Sequence, residues 1–265
     1  MPFLLLIMNL SFRPFSRLSS SALLAAVLLA GCGSSDSVPP DTPEPGPTPA
    51  PTPTLAALQG LWQSTAGDAV STSAIVLPDG NLWAVQVHGT GASTTTRVLR
   101  ASLAVQGTGY SATGKIYTLG GSTSAPATAP VAASVVEKTS LSVRVGADAG
   151  DESLSLAWQG RYDTSASLAG FAGSWSATLG PGTVHWSMDE QGRITGSRTT
   201  GCTYTGQLAL RPERKAVVDA LVQEDCAGVR TQLNGVATLN SESGRMSMVM
   251  TTADENQAVV LGLAR

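Results

Sequence analysis

Charge is scarce in this chain. Asp, Glu, Lys and Arg make up 13% of its 265 residues against 42% apolar residues, and much of the remainder is Ser, Thr and Gly. Such a surface is solubilised by hydroxyls and backbone, which excludes long Lys/Glu-rich helices and favours β structure in an exported protein. The net charge is −3 and no basic run exists, so nothing draws the chain to a phosphate backbone and nucleic acid is not an expected partner. Histidine occurs twice, as His88 and His185, and cysteine three times. No Gly-x-Ser-x-Gly elbow marks an activated serine. No phosphate-cradling glycine motif opens a helix. These shortages argue against an enzyme, a cofactor or a metal centre.

What is present begins with an address. Arg13 and Arg17 precede the apolar stretch Leu18–Leu29. About a dozen residues cannot span a hydrocarbon core ~30 Å thick, so the stretch reads as a signal peptide over residues 1–31. Leu29-Ala30-Gly31-Cys32 resembles a lipobox, in which small residues admit the peptidase and the Cys32 thiol takes diacylglycerol and palmitate. Gly33 follows where an Asp would resemble an inner-membrane retention signal, which implies anchoring at the outer membrane, facing the periplasm or the exterior. Met8 gives a more ordinary signal length than Met1. Cleavage before Cys32 removes Arg13 and Arg17 and none of the 19 acids, moving the net charge from −3 to −5. Residues 32–54 then carry eight prolines between Pro39 and Pro53. Proline fixes φ and removes a donor, so this linker reads as a polyproline-II stalk, roughly 45 Å long at ~3.1 Å per residue.

From Leu55 onward the spacing predicts strands and no amphipathic helix. Pro78-Asp79-Gly80-Asn81 separates SAIVL from LWAVQV, and Asp189-Glu190-Gln191-Gly192 separates TVHWSM from RITGS; both read as hairpin turns. Further runs at Val98–Val105, Tyr110–Leu119, Val135–Val145, Leu154–Trp158, Cys202–Leu210, Ala216–Gln223, Thr231–Leu239, Met246–Thr251 and Ala258–Leu263 complete an all-β expectation. Gly120–Val131 reads as a long Ala/Pro-rich loop. Gly60-Leu61-Trp62 and Gly173-Ser174-Trp175 each precede an acidic-Gly corner at nearly the same distance. That echo suggests two antiparallel β units in series, barrel or sandwich, over 55–167 and 168–265, joined near Tyr162–Ala169. Trp62, Leu82 and Trp83 are the expected core of the first, and Trp175, Trp186 and Ile194 of the second.

Gly-x-Trp at a first strand resembles the opening of lipocalin-type barrels, where the Trp closes one end and an arginine from the last strand lies on it; Arg265 or Arg245 would take that part. The Thr-Asp-Tyr turn of that family is missing, and Trp62 and Trp175 can equally fill a β core with locally bonded indoles. Across nearly all of 55–265, the order GLW, DGNLWA, SLAWQGRY, SLAGFAGSW, QGRITG, GCTYTGQL and Cys226 is similar to a set of uncharacterised two-part lipoproteins of proteobacteria. That resemblance implies an exported β protein with a disulfide, and no activity.

With Cys32 lipidated, Cys202 and Cys226 remain as a pair in an oxidising compartment, at the open end of one predicted hairpin, and a disulfide is expected. A two-thiolate metal site would need further ligands that the neighbourhood lacks. His88 and His185 appear at matching points near the two turns and read as strand-surface residues. Asp148, Asp151 and Glu152 could gather Ca²⁺ but match no known loop spacing, so a solvated turn is expected. The functional expectation is a non-enzymatic, membrane-anchored protein that binds an envelope or host macromolecule through its surface. The alternatives are a lipocalin-like carrier of a small apolar ligand, which needs a cavity, and a cell-envelope hydrolase.

Overall fold

The computed structural model describes residues 52–65, 70–89, 94–120, 125–146, 152–180 and 182–265. The expected signal peptide, Cys32, nearly all of the expected stalk, Asp148 and Asp151 lie outside them. The first unit runs through helix α1 (Leu55–Leu58), then β1 (Gly60–Ser64), β2 (Val70–Val76), β3 (Asn81–His88), β4 (Thr95–Ser102), β5 (Ala104–Gln106), β6 (Gly109–Leu119), β7 (Ala127–Val136), β8 (Ser140–Val145) and β9 (Glu152–Trp158). A 3-10 turn at Gly160–Asp163 and helix α2 (Leu168–Phe171) follow. The second unit holds β10 (Gly173–Leu179), β11 (Gly182–Met188), β12 (Arg193–Arg198), β13 (Thr203–Leu210), β14 (Val217–Cys226), β15 (Val229–Asn240), β16 (Arg245–Thr252) and β17 (Ala258–Ala264).

Both units are antiparallel eight-stranded barrels. In the second, β10 to β17 close in sequence order. In the first, the β4–β6 pairing closes the ring, and β5 continues the β4 ladder on β6 in the same register after an interruption at Leu103. Alternation decides the inside of each barrel. Trp62, Leu82, Leu99 and Leu141 fill the first, and Trp175, Ile194, Leu208 and Met246 the second.

The echo in the sequence is one local device used twice. Each barrel opens with a four-residue helix whose last residue accepts the indole N–H of the tryptophan four positions on: Trp62 Nε1 to Leu58 O at 3.1 Å and Trp175 Nε1 to Phe171 O at 2.7 Å. Each β-turn then ends in a glycine of positive φ, Gly80 at 83° and Gly192 at 80°. Their carbonyls accept from Leu103 N at 2.9 Å and Leu208 N at 2.8 Å. A Cβ at either would meet that leucine's carbonyl oxygen at 2.3 or 2.8 Å, so only glycine fits.

Four expectations are corrected. Residues 127–131 belong to strand β7, because Ala129, Val131 and Ala133 alternate inward as small apolar residues. Pro130 is tolerated there because the β7–β8 ladder begins only at Val131↔Val145, leaving its missing N–H beyond the paired stretch. The run Val135–Val145 is broken by a turn at Glu137-Lys138-Thr139, with Lys138 at φ 52°. Trp83 faces outward, since its neighbours Leu82 and Ala84 take the inward positions. His88 and His185 do not correspond: His88 ends β3, after its turn, whereas His185 lies in β11, before its turn.

Outward-facing Trp83 joins Leu61, Leu77, Val98, Tyr117 and Tyr162 in a core shared with Ala216, Val217, Val236 and Val249 of the second barrel. Ionic contacts frame it. Glu255, in the β16–β17 turn, meets Arg100 and Lys115 of the first barrel, and its carbonyl accepts from Tyr117 Oη at 3.0 Å. Asp163 receives Lys138 and Lys215, each at 2.7 Å; these two ammonium groups hold its carboxyl below its usual pKa. Burial, with Glu213 nearby, pushes the Tyr162 hydroxyl up to about 12.

Candidate functional site

The end of the second barrel away from α2 is where its polar interior lies. Along β12 the inward positions are Ile194, Gly196 and Arg198; along β14 they are Val218, Ala220, Val222 and Glu224. Each series is apolar until its last member, which is charged. One transverse row crosses the barrel as Trp175↔Trp186↔Gly196↔Tyr204↔Glu224. Gly196 leaves the space that the Trp186 ring takes, since a Cβ there would stand 2.4 Å from that indole. Trp186 in turn meets Tyr204 at 5.4 Å between ring centroids.

Around this row lies a cavity of about 590 Å³. Val184, Trp186, Leu233 and Leu261 supply apolar wall, and Arg198, Tyr204 and Glu224 supply polar wall. Tyr204 Oη donates to Glu224 Oε1 at 2.6 Å. Burial first, then the bond to Glu224 and its negative charge, raise the Tyr204 pKa, against the opposing pull of Arg198. The phenol is thus a fixed donor at any ordinary pH. Arg198 Nη2 donates to Leu179 O at 2.7 Å, while its Nε and the Trp186 indole N–H are buried with no partner. A buried donor without an acceptor costs about 1–3 kcal/mol, so an acceptor placed in this cavity would gain from meeting it.

Cys202 and Cys226, at the rim, are joined with an S–S distance of 2.06 Å, as expected. Glu224 lies within 4.8 Å of both sulfurs, but sulfurs bonded to each other offer no thiolate to a metal. Trp62 and Trp175 do not line this cavity. Arg265 lies over Trp175, its guanidinium 4.7 Å from the ring centroid, whereas Arg245 opens β16 on the exposed side. His185 faces outward beside Ser174, Ser187 and Thr195 in a shallow groove. Glu152 turns into the first barrel, where Gln86 Nε2 at 2.6 Å and Arg97 Nη1 at 2.9 Å donate to it, and so makes a half-buried ion pair instead of a solvated turn.

Arg198, Tyr204 and Glu224 were not singled out in the sequence. The available signal was a charged residue ending an inward-facing alternation, in RITGSR and in VVDALVQE. No family model matches the chain, and no curated protein and no solved structure matches it.

Proposed function

We propose that this chain is an exported, lipid-anchored binding protein whose recognition site is the cavity at the open end of the C-terminal barrel. The lipobox-like LAGC and the proline-rich stalk support the anchor on Cys32 and an outer-membrane address. The cavity carries the functional part of the reading. Its volume of about 590 Å³ falls in the usual range for ligand sites, about 300–1,000 Å³, and apolar walls surround a few convergent polar groups. Arg198 and Glu224 offset each other in charge, so the site suits a neutral or zwitterionic polar group flanked by apolar substituents. A surface-only mode of binding is less favoured, because each unit closes into an eight-stranded barrel and the second holds this cavity. The reading is of binding without turnover.

The test uses the chain with Cys32 replaced by Ser, screened by tryptophan emission and thermal shift against single-chain amphiphiles and short peptides. Saturable binding that is lost in Leu233→Trp, with an unchanged β-sheet spectrum, is the expected result. Binding that survives this filling of the cavity, or no saturable ligand in either class, refutes the proposal.

A further inference from the structure

Strand edges that meet no strand partner among the described residues line the same cavity. The seam that closes the second barrel pairs β10 with β17 only at Ser176↔Ala264. The matching seam of the first barrel pairs Trp62↔Trp158, Gln63↔Ala157 and Ser64↔Leu156. Above Ser176, therefore, Ala177–Leu179 of β10 and Ala258–Leu263 of β17 face a parted seam. The carbonyl of Leu179, which pairs with Gly182 of β11, also accepts from the side chain of Arg198 at 2.7 Å. The third edge belongs to the first barrel. The β6–β7 ladder stops at Ile116↔Ala127. Tyr117 and Leu119 turn their backbone groups to Val98 and Thr96 of β4; Thr118 turns its own to the side that β7 has left, with no strand opposite among the described residues. Tyr117, Thr118, Leu119, Leu179, and Ala258 to Leu261 all border the cavity.

Unpaired strand backbone is a template for another strand. A small apolar ligand would leave these N–H and C=O groups unanswered; an extended chain would pair with them. We infer that the occupant of this cavity is an extended segment of a partner polypeptide, which adds along the free edge of β17 between β10 and β6. This rests on the cavity being the recognition site, as proposed above. Alternation sets what the segment must carry. Val259, Leu261 and Leu263 face into the barrel, so every second side chain of an added strand would join the apolar wall and be apolar itself. The intervening side chains would lie beside Val260 and the first barrel's Thr118. Its backbone also supplies carbonyls for the unpartnered donors of Trp186 and Arg198.

The probe is a phage-displayed library of heptapeptides with apolar residues at alternate positions, selected on the chain with Cys32 replaced by Ser. Selected peptides are then resynthesised with single backbone N-methyl groups. The expected result is that N-methylation at one parity lowers affinity at least tenfold and at the other parity changes it less than twofold, since only alternate N–H groups face β17. In a second arm, Ala177→Cys with Leu263→Cys locks the seam: peptide binding should fall at least tenfold on oxidation and return on mild reduction. Affinity indifferent to N-methylation at both parities overturns the inference. So does enrichment of no peptide while dodecyl amphiphiles bind and lose binding in Leu233→Trp, which leaves the cavity as a site for small molecules. Binding of neither class removes the site itself.

Discussion

Arg265 occupies, over Trp175, the ladder position that Trp158 occupies over Trp62. The register that pairs Ser176 with Ala264 carries Trp175 opposite Arg265, as Gln63↔Ala157 carries Trp62 opposite Trp158. Trp158 meets Trp62 edge-on at 5.3 Å, and Arg265 lies 4.7 Å above the Trp175 ring. The two barrels thus close the same end by different physics, an aromatic pair in one and a cation on an aromatic face in the other. Arg265 also donates to the carbonyls of Gly170 and Ala172, tying α2 to the end of β17.

Arg265→Ala should therefore loosen the closed end of the second barrel. Loss of the cation–π contact and two charge-assisted bonds is worth about 1–3 kcal/mol at a partly exposed site. Urea unfolding followed by tryptophan emission reads it. Arg265→Lys, which keeps the charge but not the fork, should recover less than half. Unchanged stability in Arg265→Ala would show that Trp175 is held by α2 alone.

The bond between Cys202 and Cys226 ties the start of β13 to the end of β14 across a separation of 24 residues. Closing such a loop contributes roughly 3 kcal/mol in the chain-entropy model. Protein with Cys32 replaced by Ser, recovered from an oxidising compartment, should show no free thiol under denaturing conditions without reductant. Cys202→Ala/Cys226→Ala should unfold at a lower urea midpoint with a similar slope. Because the bridge sits beside Glu224, this variant should also bind cavity ligands more weakly than its lost stability accounts for.

How much of this was legible in the sequence depended on the physics of each feature. The turns at Gly80 and Gly192 were readable because only glycine adopts their backbone, and the chain advertises it. The turn at Lys138 was not, because a left-handed lysine carries no compositional mark and the valines on either side read as one strand. Pro130 hid β7 since proline argues against a strand unless the end of the ladder is known. Trp83 looked like core because bulk suggests burial; it is buried, but between barrels, and only the parity set by Leu82 places it there. The cavity depends on Arg198 and Glu224 ending alternations on two strands brought face to face by closure of the barrel, a relation no single stretch of sequence contains.

Alkaline pH should weaken the contact between the barrels through Tyr162. Its folded-state pKa is raised from 10.0 to about 12 by burial and by Glu213. A raised pKa means the folded state holds the proton more tightly. The associated stability is complete below pH ~10 and is lost as pH rises toward ~12, at no more than about 1.4 kcal/mol per pH unit. Tyr162→Phe, whose lost bond to Gln59 is long at 3.4 Å, should flatten the decline in urea midpoint between pH 10 and 12. An identical decline in both proteins would assign it to other groups.

Anchoring is tested apart from the fold. A fatty-acid analogue supplied to cells of a lipoprotein-processing bacterium should label the full chain and not Cys32→Ala. The variant should also leave the membrane fraction. Equal labelling of both would remove Cys32 as the anchor.

Glu255 connects the two barrels to the cavity rim. It is held at φ 54°, uncommon for a residue with a side chain, in the turn that also carries Asn256 and Gln257 to the edge of the cavity. Its carboxylate faces both Arg100 and Lys115, and its carbonyl takes the Tyr117 hydroxyl. Removing the carboxylate leaves two half-buried cations without their shared partner, one of them on Trp83 at 4.9 Å. Glu255→Ala should cost about 1–2 kcal/mol at low salt, and less as salt screens the site. Glu255→Gly should keep the turn, since glycine takes positive φ without strain, while losing the same ion pairs. The two variants thus separate backbone from charge. If charge dominates, both should lose stability to a similar degree, and amide hydrogen exchange at Asn256, Gln257 and Ala258 should quicken in both. If only Glu255→Ala exchanges faster, the turn is held by its backbone and the ion pairs contribute little to the rim of the site.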